Sequence, residues 1–272
     1  MSGPKALVTG AGGGIGSAIA RHLDAAGYRL LLADRSTEAL RSLAAALSRA
    51  PELIACDLAD RADVERLCTL LNTEHRDLDL LVNNAGIGIP GAVADLDQEI
   101  LDLHLEINLR SPIRLMRAVA PQMIARGRGA MIATVSLGGV LALKDSAVYS
   151  ASKFGLRGFL CGLHQELAPH GIRVSGIYPA AVDTPMLHHE ALHGGSVLNF
   201  VDRVMSPDDV ARGVMKALRG GALEVYVPYS ASVTARLVGA FPWMLRPMLP
   251  WLERIGEKGR QKFVKARGLS DA

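Results

Sequence analysis

Seven short apolar runs punctuate the chain: KALVT at 5–9, RLLLA at 29–33, ELIAC at 52–56, LDLLVN at 78–83, AMIATV at 130–135, RVSGIY at 173–178 and LEVYVP at 223–228. Runs this short, apolar without strict alternation, suit strands covered on both faces. Between them apolar residues fall three or four apart, as in SAIARHLDAAG at 17–27 and STEALRSLAAALSRA at 36–50, which is the helical period. Strand followed by helix, repeated, makes parallel pairs joined by right-handed crossovers, with helices on both faces of one sheet. The spacing therefore predicts an α/β chain with a doubly wound, mostly parallel seven-stranded sheet. No break in composition marks a second domain, so one domain over 1–272 is expected, with its core at about 5–228.

Composition excludes several classes. The net charge is only +3, and no stretch interleaves Lys or Arg with aromatic residues as a single-strand groove does, so a nucleic-acid partner is not expected. Cys56, Cys68 and Cys161 are odd in number and far apart, which suits a reducing compartment better than a disulfide framework or a zinc site. MSGPKALVTG enters a strand without a signal-peptide pattern, and no apolar run reaches the ~18 residues of a membrane span. A cytoplasmic protein is expected.

Three later segments stand out. SPDD at 206–209 reads as a helix start, with Ser206 as N-cap, Pro207 in the first turn and Asp209 three residues after the cap, closed by Gly220-Gly221. Residues 186–205 have weak periodicity and an internal Gly-Gly, and read as a mobile lid. From 229 onward the strand and helix rhythm stops. That tail holds both tryptophans, several prolines, and eight Lys or Arg against two Glu between 236 and 267. It reads as cover for a pocket or as an oligomer contact, ahead of a peripheral contact with anionic lipid through Trp243, Trp251 and the basic cluster.

VTGAGGGIGSAIA places a glycine-rich turn between the first strand and the first helix. Glycines there let the chain turn tightly and let a pyrophosphate approach the helix N-terminus without meeting a Cβ. A phosphate-binding P-loop would need Lys-Ser/Thr after the last glycine, whereas Gly16 is followed by Ser17 and Ala18. Gly10, Gly12, Gly14, Ile15 and Gly16 are thus candidate dinucleotide contacts. Asp34 ends the second strand about 20 residues later, where its carboxylate can accept from the adenosine ribose hydroxyls and repel a 2′-phosphate, favouring NAD over NADP. Arg35 beside it is either a solvated charge or a partner for a 2′-phosphate. Asp57, with Leu58 next to it, ends the third strand at the adenine edge, or else serves the turn before a helix capped by Asp60.

AVYSASKFG at 147–155 sets Tyr149 and Lys153 four residues apart, hence on one helical face. An ammonium beside a phenol favours the phenolate, so the pair reads as a general acid/base with the tyrosine pKa lowered from about 10. A packed tyrosine beside a solvated lysine is the bland alternative.

Three of these motifs together, TGAGGGIG at 9–16, NNAG at 83–86 and YSASK at 149–153, resemble the short-chain dehydrogenase/reductase family, whose fold is Rossmann-type. The resemblance covers about 5–228. It implies that Ser136, thirteen residues before Tyr149, and Asn108 complete a catalytic set with Tyr149 and Lys153. Tyr149 would exchange a proton with the substrate oxygen, Ser136 would hydrogen-bond that oxygen, Lys153 would hold the nicotinamide ribose, and Asn108 would support a water linking Lys153 to solvent. It also implies cofactor positions at Asn83, Ala85, Gly86, Pro179, Val182 and Thr184. Ala180 departs from the family's usual glycine after Pro179.

The expected pocket lies between LGGVLAL at 137–143, PAAV at 179–182 and the lid, with Gly138, Val140, Leu143, Met186, Leu187, Leu192 and Phe200 as lining. An apolar lining suits a hydrophobic alcohol or ketone of steroid, retinoid or fatty-acyl type. The alternatives are a 3-oxoacyl reductase-like enzyme and a non-catalytic dinucleotide-binding scaffold. His188, His189 and His193 lack matching carboxylate spacing, so no metal is expected. A homodimer or homotetramer is expected from the family.

Overall fold

The computed structural model describes residues 3–269. Each of the seven apolar runs forms a strand: β1 Lys5–Thr9, β2 Arg29–Asp34, β3 Glu52–Ala55, β4 Leu80–Asn83, β5 Gly129–Thr134, β6 Ile172–Pro179 and β7 Glu224–Val227. All pairings are parallel, in the order β3-β2-β1-β4-β5-β6-β7. The chain winds outward from β1 to β3, then returns to start again at β4. The strand order reverses between β1 and β4, so a crevice opens beyond their C-terminal ends, the place where such Rossmann-type sheets bind ligands.

Strand side chains alternate between two helical layers. Ala6, Val8, Leu30, Leu32, Leu80, Val82 and Ile132 face α1 (Gly14–Ala25), α2 (Thr37–Ala44) and α8 (Pro207–Gly220). Leu7, Leu31, Leu81, Met131 and Ala133 face α3 (Arg61–Thr73), α5 (Ser111–Arg126) and α6 (Ala147–Leu167). Both faces are therefore apolar, which explains the unbroken hydrophobic runs. Each fully buried Leu or Val contributes about 1.5–3 kcal/mol, so the two layers dominate the stability of the sheet.

The capped helix forms as its sequence predicts. In α8 the Ser206 hydroxyl accepts from the Asp209 N–H while the Asp209 carboxylate accepts from the Ser206 N–H, and Gly221 ends the helix at φ 66°. The helix expected over 36–50 is shorter: α2 stops at Ala44 because Asp24 takes the Ser48 N–H at 2.7 Å and its hydroxyl at 2.9 Å, pulling the chain off the helix axis.

The last segments correct the sequence expectation. The segment expected as a lid, 186–205, forms α7 (Pro185–His193) and a short 3-10 turn, Val197–Phe200. Beyond β7 the tail is helical, as α9 (Tyr229–Ala240) and α10 (Leu245–Arg267). Prolines 247 and 250 lie in the first turns of α10, where few backbone N–H bonds are lost. Gly256 and Gly259 bring that helix against the carbonyls of Val197 and Phe200, and Arg260 donates to the Ala191 carbonyl at 2.8 Å. Thus α10 holds the lid. The outer face of α9 and the turn after it expose Val233, Leu237, Phe241 and Trp243, and Trp251 is exposed on α10. No helix among the described residues is long and apolar enough to cross a membrane.

Candidate active site

The ends of β1, β4 and β5 are sewn together by side chains. The Thr9 hydroxyl accepts from the N–H groups of Asn84, at 3.1 Å, and Ala85, at 3.2 Å. The Asn84 amide donates to the carbonyls of Thr9 (3.2 Å) and Gly10 (3.3 Å), while its oxygen accepts from the Thr134 hydroxyl at 3.2 Å. Asn84 was missed in the sequence reading, although it sits in the quoted NNAG. Asn83 faces the other way, buried and donating to the Pro112 carbonyl at 3.3 Å on α5.

This stitching presses the glycine turn against the loop after β4. Gly10 has φ 64°, and a Cβ there would lie 2.7 Å from the Ala85 Cα; one on Gly16 would strike the Gly10 carbonyl. Helix α1 begins at Gly14 with Gly13 as N-cap and no side-chain cap, so its first N–H groups and the positive end of its dipole are free for an anion. Asp34 lies alongside, accepting from the Gly12 N–H and the Ser36 N–H, each at 3.0 Å. An uncapped helix start, a cradle that a Cβ would fill and an acceptor at the end of β2 together fit a dinucleotide. Thr184, the N-cap of α7, closes the cradle from the other side, 3.5 Å from where a Gly14 Cβ would be.

The remaining expected cofactor positions divide. Asp57 accepts from the Ala59 N–H at 2.9 Å, and so serves its own turn. The Leu58 side chain is in the core, and its carbonyl takes the Ser111 hydroxyl at 2.8 Å. Arg35 is exposed, and Ile15 packs partly against the α1 layer. Pro179 and Val182 are buried; Val182 bridges to Met205, and Ala180 donates to the Val227 carbonyl at 2.8 Å. Gly86 faces Lys153 and Asn108: a Cβ on it would lie 3.2 Å from the Lys153 Nζ and 3.1 Å from the Asn108 Oδ1.

The four residues of the expected catalytic set converge. Asn108 is fully buried in a π-helical segment, Glu106–Arg110, between α4 (Gln98–Leu105) and α5. Such insertions frequently mark functional sites. Its amide accepts from the Ile87 N–H and donates to the Ile87 carbonyl, both at 2.9 Å, and donates to the Ser152 hydroxyl at 3.1 Å. It therefore fixes the loop after β4 against α6. Lys153 is buried and gives one N–H to the Thr134 carbonyl at 3.0 Å. Ser136 accepts from the Gly138 N–H at 2.9 Å and hydrogen-bonds Tyr149. A Cβ on Gly138 would lie 2.9 Å from the Tyr149 ring and 3.3 Å from the Ser136 oxygen, so glycine keeps that approach open.

Electrostatics corrects one expectation. Tyr149 is not brought down toward neutral pH: burial pushes it up to about 12, against the lowering effect of the Ser136 hydrogen bond and with a smaller push from Glu190. Burial also holds Lys153 down at about 8. The ammonium is engaged with Thr134 and sits 5.7 Å from the Tyr149 ring centroid, so desolvation wins. At pH 7 Tyr149 is a protonated phenol, equipped to donate.

Of the expected pocket residues, Val140 is buried, Leu143 is half-buried, and the Met186 sulfur lies near the Tyr149 ring by Gly88. Leu187 and Phe200 are instead buried together with Ala191, against Phe263 and Val264 of α10. Apolar side chains at 187 and 200 thus anchor the lid. A carboxylate unremarked in the sequence, Glu190, takes a place beside Tyr149. His188 pairs with Asp183 at 2.6 Å, and the rings of His189 and His193 lie 4.4 Å apart, tilted by 44°.

The chain was compared with known proteins. Residues 4–193 match the family model described as short chain dehydrogenase. The chain is 36% identical over 217 residues to nodulation protein G of Rhizobium meliloti, covering 79% of this chain and 89% of that protein. It superimposes on a short-chain dehydrogenase from Sphingobium yanoikuyae in complex with NADPH, with TM-score 0.78 and 27% identity over 89% of this chain and 95% of that one. It also superimposes on the bulky-bulky ketone specific alcohol dehydrogenase from Comamonas testosteroni, with TM-score 0.76 and 26% identity over 90% and 95% of the two chains. With the glycine cradle, the Tyr149–Lys153 pair and the matched sequence in agreement, the chain belongs to the short-chain dehydrogenase family of oxidoreductases.

Proposed function

We propose that this protein interconverts a secondary alcohol and a ketone with a nicotinamide cofactor, acting on a hydrophobic substrate of steroid, retinoid or fatty-acyl type. The observation that carries this reading is the open approach at Gly138, where the Tyr149 ring and the Ser136 hydroxyl converge on one space. A substrate oxygen there is met by two hydroxyl donors. Tyr149, with its pKa near 12, gives its proton to the oxygen as negative charge develops on it. Ser136 stabilises that charge by hydrogen bonding. Lys153 and the Asn108-pinned loop would hold the nicotinamide side of the cofactor, and the glycine turn with α1 would hold its pyrophosphate. The cofactor, when bound, supplies or accepts the hydride.

Asp34 favours NAD: its carboxylate stands at the end of β2 beside Gly12, where a 2′-phosphate would be repelled. The Met186 sulfur, which lies near the Tyr149 ring by Gly88, favours a hydrophobic substrate, whereas Val140 is packed into the core against Gly239 and does not line the cleft. The test is a substrate panel of steroid, retinoid, 3-oxoacyl and polyol compounds run in parallel with NADH and NADPH. Turnover of an apolar ketone, faster with NADH, is expected; turnover of polyols alone removes the substrate assignment, and no nucleotide binding removes the whole reading.

A further inference from the structure

Glu190 lies on α7, on the side of Tyr149 away from Ser136. Its Oε2 accepts from the Asn199 amide at 2.9 Å, which orients the carboxylate, and its Cβ packs over Gly195. The other oxygen, Oε1, reaches the cleft. A methyl group on Gly88 would lie 3.2 Å from that Oε1, 3.3 Å from the Met186 sulfur and 3.7 Å from the Tyr149 Cδ2. The opposite edge of the same ring, at Cε1 and Cδ1, is the one faced by Gly138 and Ser136. The phenol is therefore flanked by a hydroxyl donor on one edge and a carboxylate acceptor on the other, with a glycine leaving room at each.

A structural role does not account for this carboxylate. Among the described residues no cation pairs with it: Arg260, on the helix that packs over the lid, is committed to Glu257 and to the Ala191 carbonyl. Its one protein hydrogen bond is to a neutral amide, and burial pushes its carboxyl up to about 7. A half-buried, unpaired carboxylate weakens a fold, and groups held that way gather at functional sites.

We propose that Glu190 is a specificity-determining residue whose Oε1 accepts a hydrogen bond from a hydroxyl or ammonium carried by the substrate near the reacting carbonyl. The proposal rests on the oxidoreductase reading and narrows it: the substrate is an otherwise apolar ketone or alcohol that carries a hydrogen-bond donor near the reacting carbon. Leaving Glu190 desolvated without that donor costs binding, so a ketone lacking the donor is disfavoured.

The test uses the 272-residue chain with acetophenone, 2-hydroxy-1-phenylethanone, 3-hydroxy-1-phenylpropan-1-one and 3-amino-1-phenylpropan-1-one, in wild type, Glu190→Ala and Glu190→Gln. Wild type is expected to prefer at least one donor-bearing ketone over acetophenone by about tenfold or more in kcat/KM. Glu190→Ala removes that preference through KM, with acetophenone gaining relative to the donor-bearing ketones. Glu190→Gln separates the two donors: an amide oxygen still accepts from a hydroxyl, so that preference is largely kept, whereas a preference for the ammonium is lost with the charge. Enhancement of NADH or NADPH fluorescence, equal in all three proteins, reports on the oxidoreductase reading separately. Nucleotide binding without any preference for a donor-bearing ketone, whether the plain ketone matches it or nothing is turned over, overturns the assignment, as does equal loss on all four ketones in Glu190→Ala.

Discussion

On the nucleotide side of the cleft, Thr9, Asn84 and Asp34 bond directly to the backbone of the glycine turn and of the loop after β4, at the ends of strands already paired in the sheet. On the substrate side, the lid is held by residues remote in sequence: Arg260 reaches Ala191 across 69 positions, and the Phe263 ring meets that of Phe200 at 5.4 Å. The first side is preorganised by the sheet itself, the second by a helix packed on from the chain's end. Cofactor geometry should therefore resist surface change, while substrate fit should respond to it.

The largest break in this comparison is expected at Gly10. Its φ of 64° and the 2.7 Å approach of a Cβ to Ala85 leave no room for a side chain. Gly10→Val should weaken nucleotide affinity, read by NADH fluorescence, by about a hundredfold or more, because the cradle itself is displaced. Retained affinity would mean that the turn does not shape the nucleotide site.

Next comes pH. Lys153 loses its proton near pH 8, so turnover at saturating ketone should fall as pH rises from 7 to 9, with an inflection near 8. Stability should move oppositely. The unfolded lysine keeps its proton to about 10.4, so between 8 and that value the unfolded state binds more protons and stability attributable to this group rises with pH. Below pH 8 the burial penalty is fully present. A flat rate profile across this range would dissociate Lys153 from turnover.

A smaller effect sharpens the substrate side alone. Phe263→Ala removes the ring that Phe200 and His188 pack against, at 5.4 and 5.8 Å. KM for the ketone should rise several-fold with nucleotide affinity unchanged, and the melting temperature should drop by a few degrees. Equal loss of nucleotide affinity would mean that the two sides are not separable.

The smallest is a stability shift. Glu190 titrates near 7 in the folded chain, so between about 4.3 and 7 the folded state binds more protons and stability from this group falls as pH rises. Glu190→Gln should melt higher than wild type at pH 8 and no higher at pH 4, by differential scanning calorimetry.

How legible the molecule was in its sequence follows the same division. The strands, the α8 cap and the glycine turn are local patterns, and TGAGGGIG, NNAG and YSASK are each a short run of consecutive residues. Burial was not legible. Helical spacing places Lys153 near Tyr149, but not the Thr134 carbonyl that accepts its hydrogen bond or the desolvation that sends the phenol upward. Leu187 looked like pocket lining because it is apolar, yet α10 claims it. Glu190 belongs to no motif, and only Asn199, Gly88 and Tyr149 around it give it meaning.

In the proposed function Tyr149 protonates a substrate oxygen as hydride reaches the carbonyl carbon bonded to it. Deuterium is followed from NADH or NADPH carrying deuterium at both C4 positions into a turned-over ketone, in wild type and Tyr149→Phe. Deuterium is expected on the carbinol carbon with wild type, with about a 100- to 10,000-fold slower transfer in the variant at unchanged nucleotide affinity. Alcohol formed without the label, or transfer at the same rate without the phenol, would contradict it.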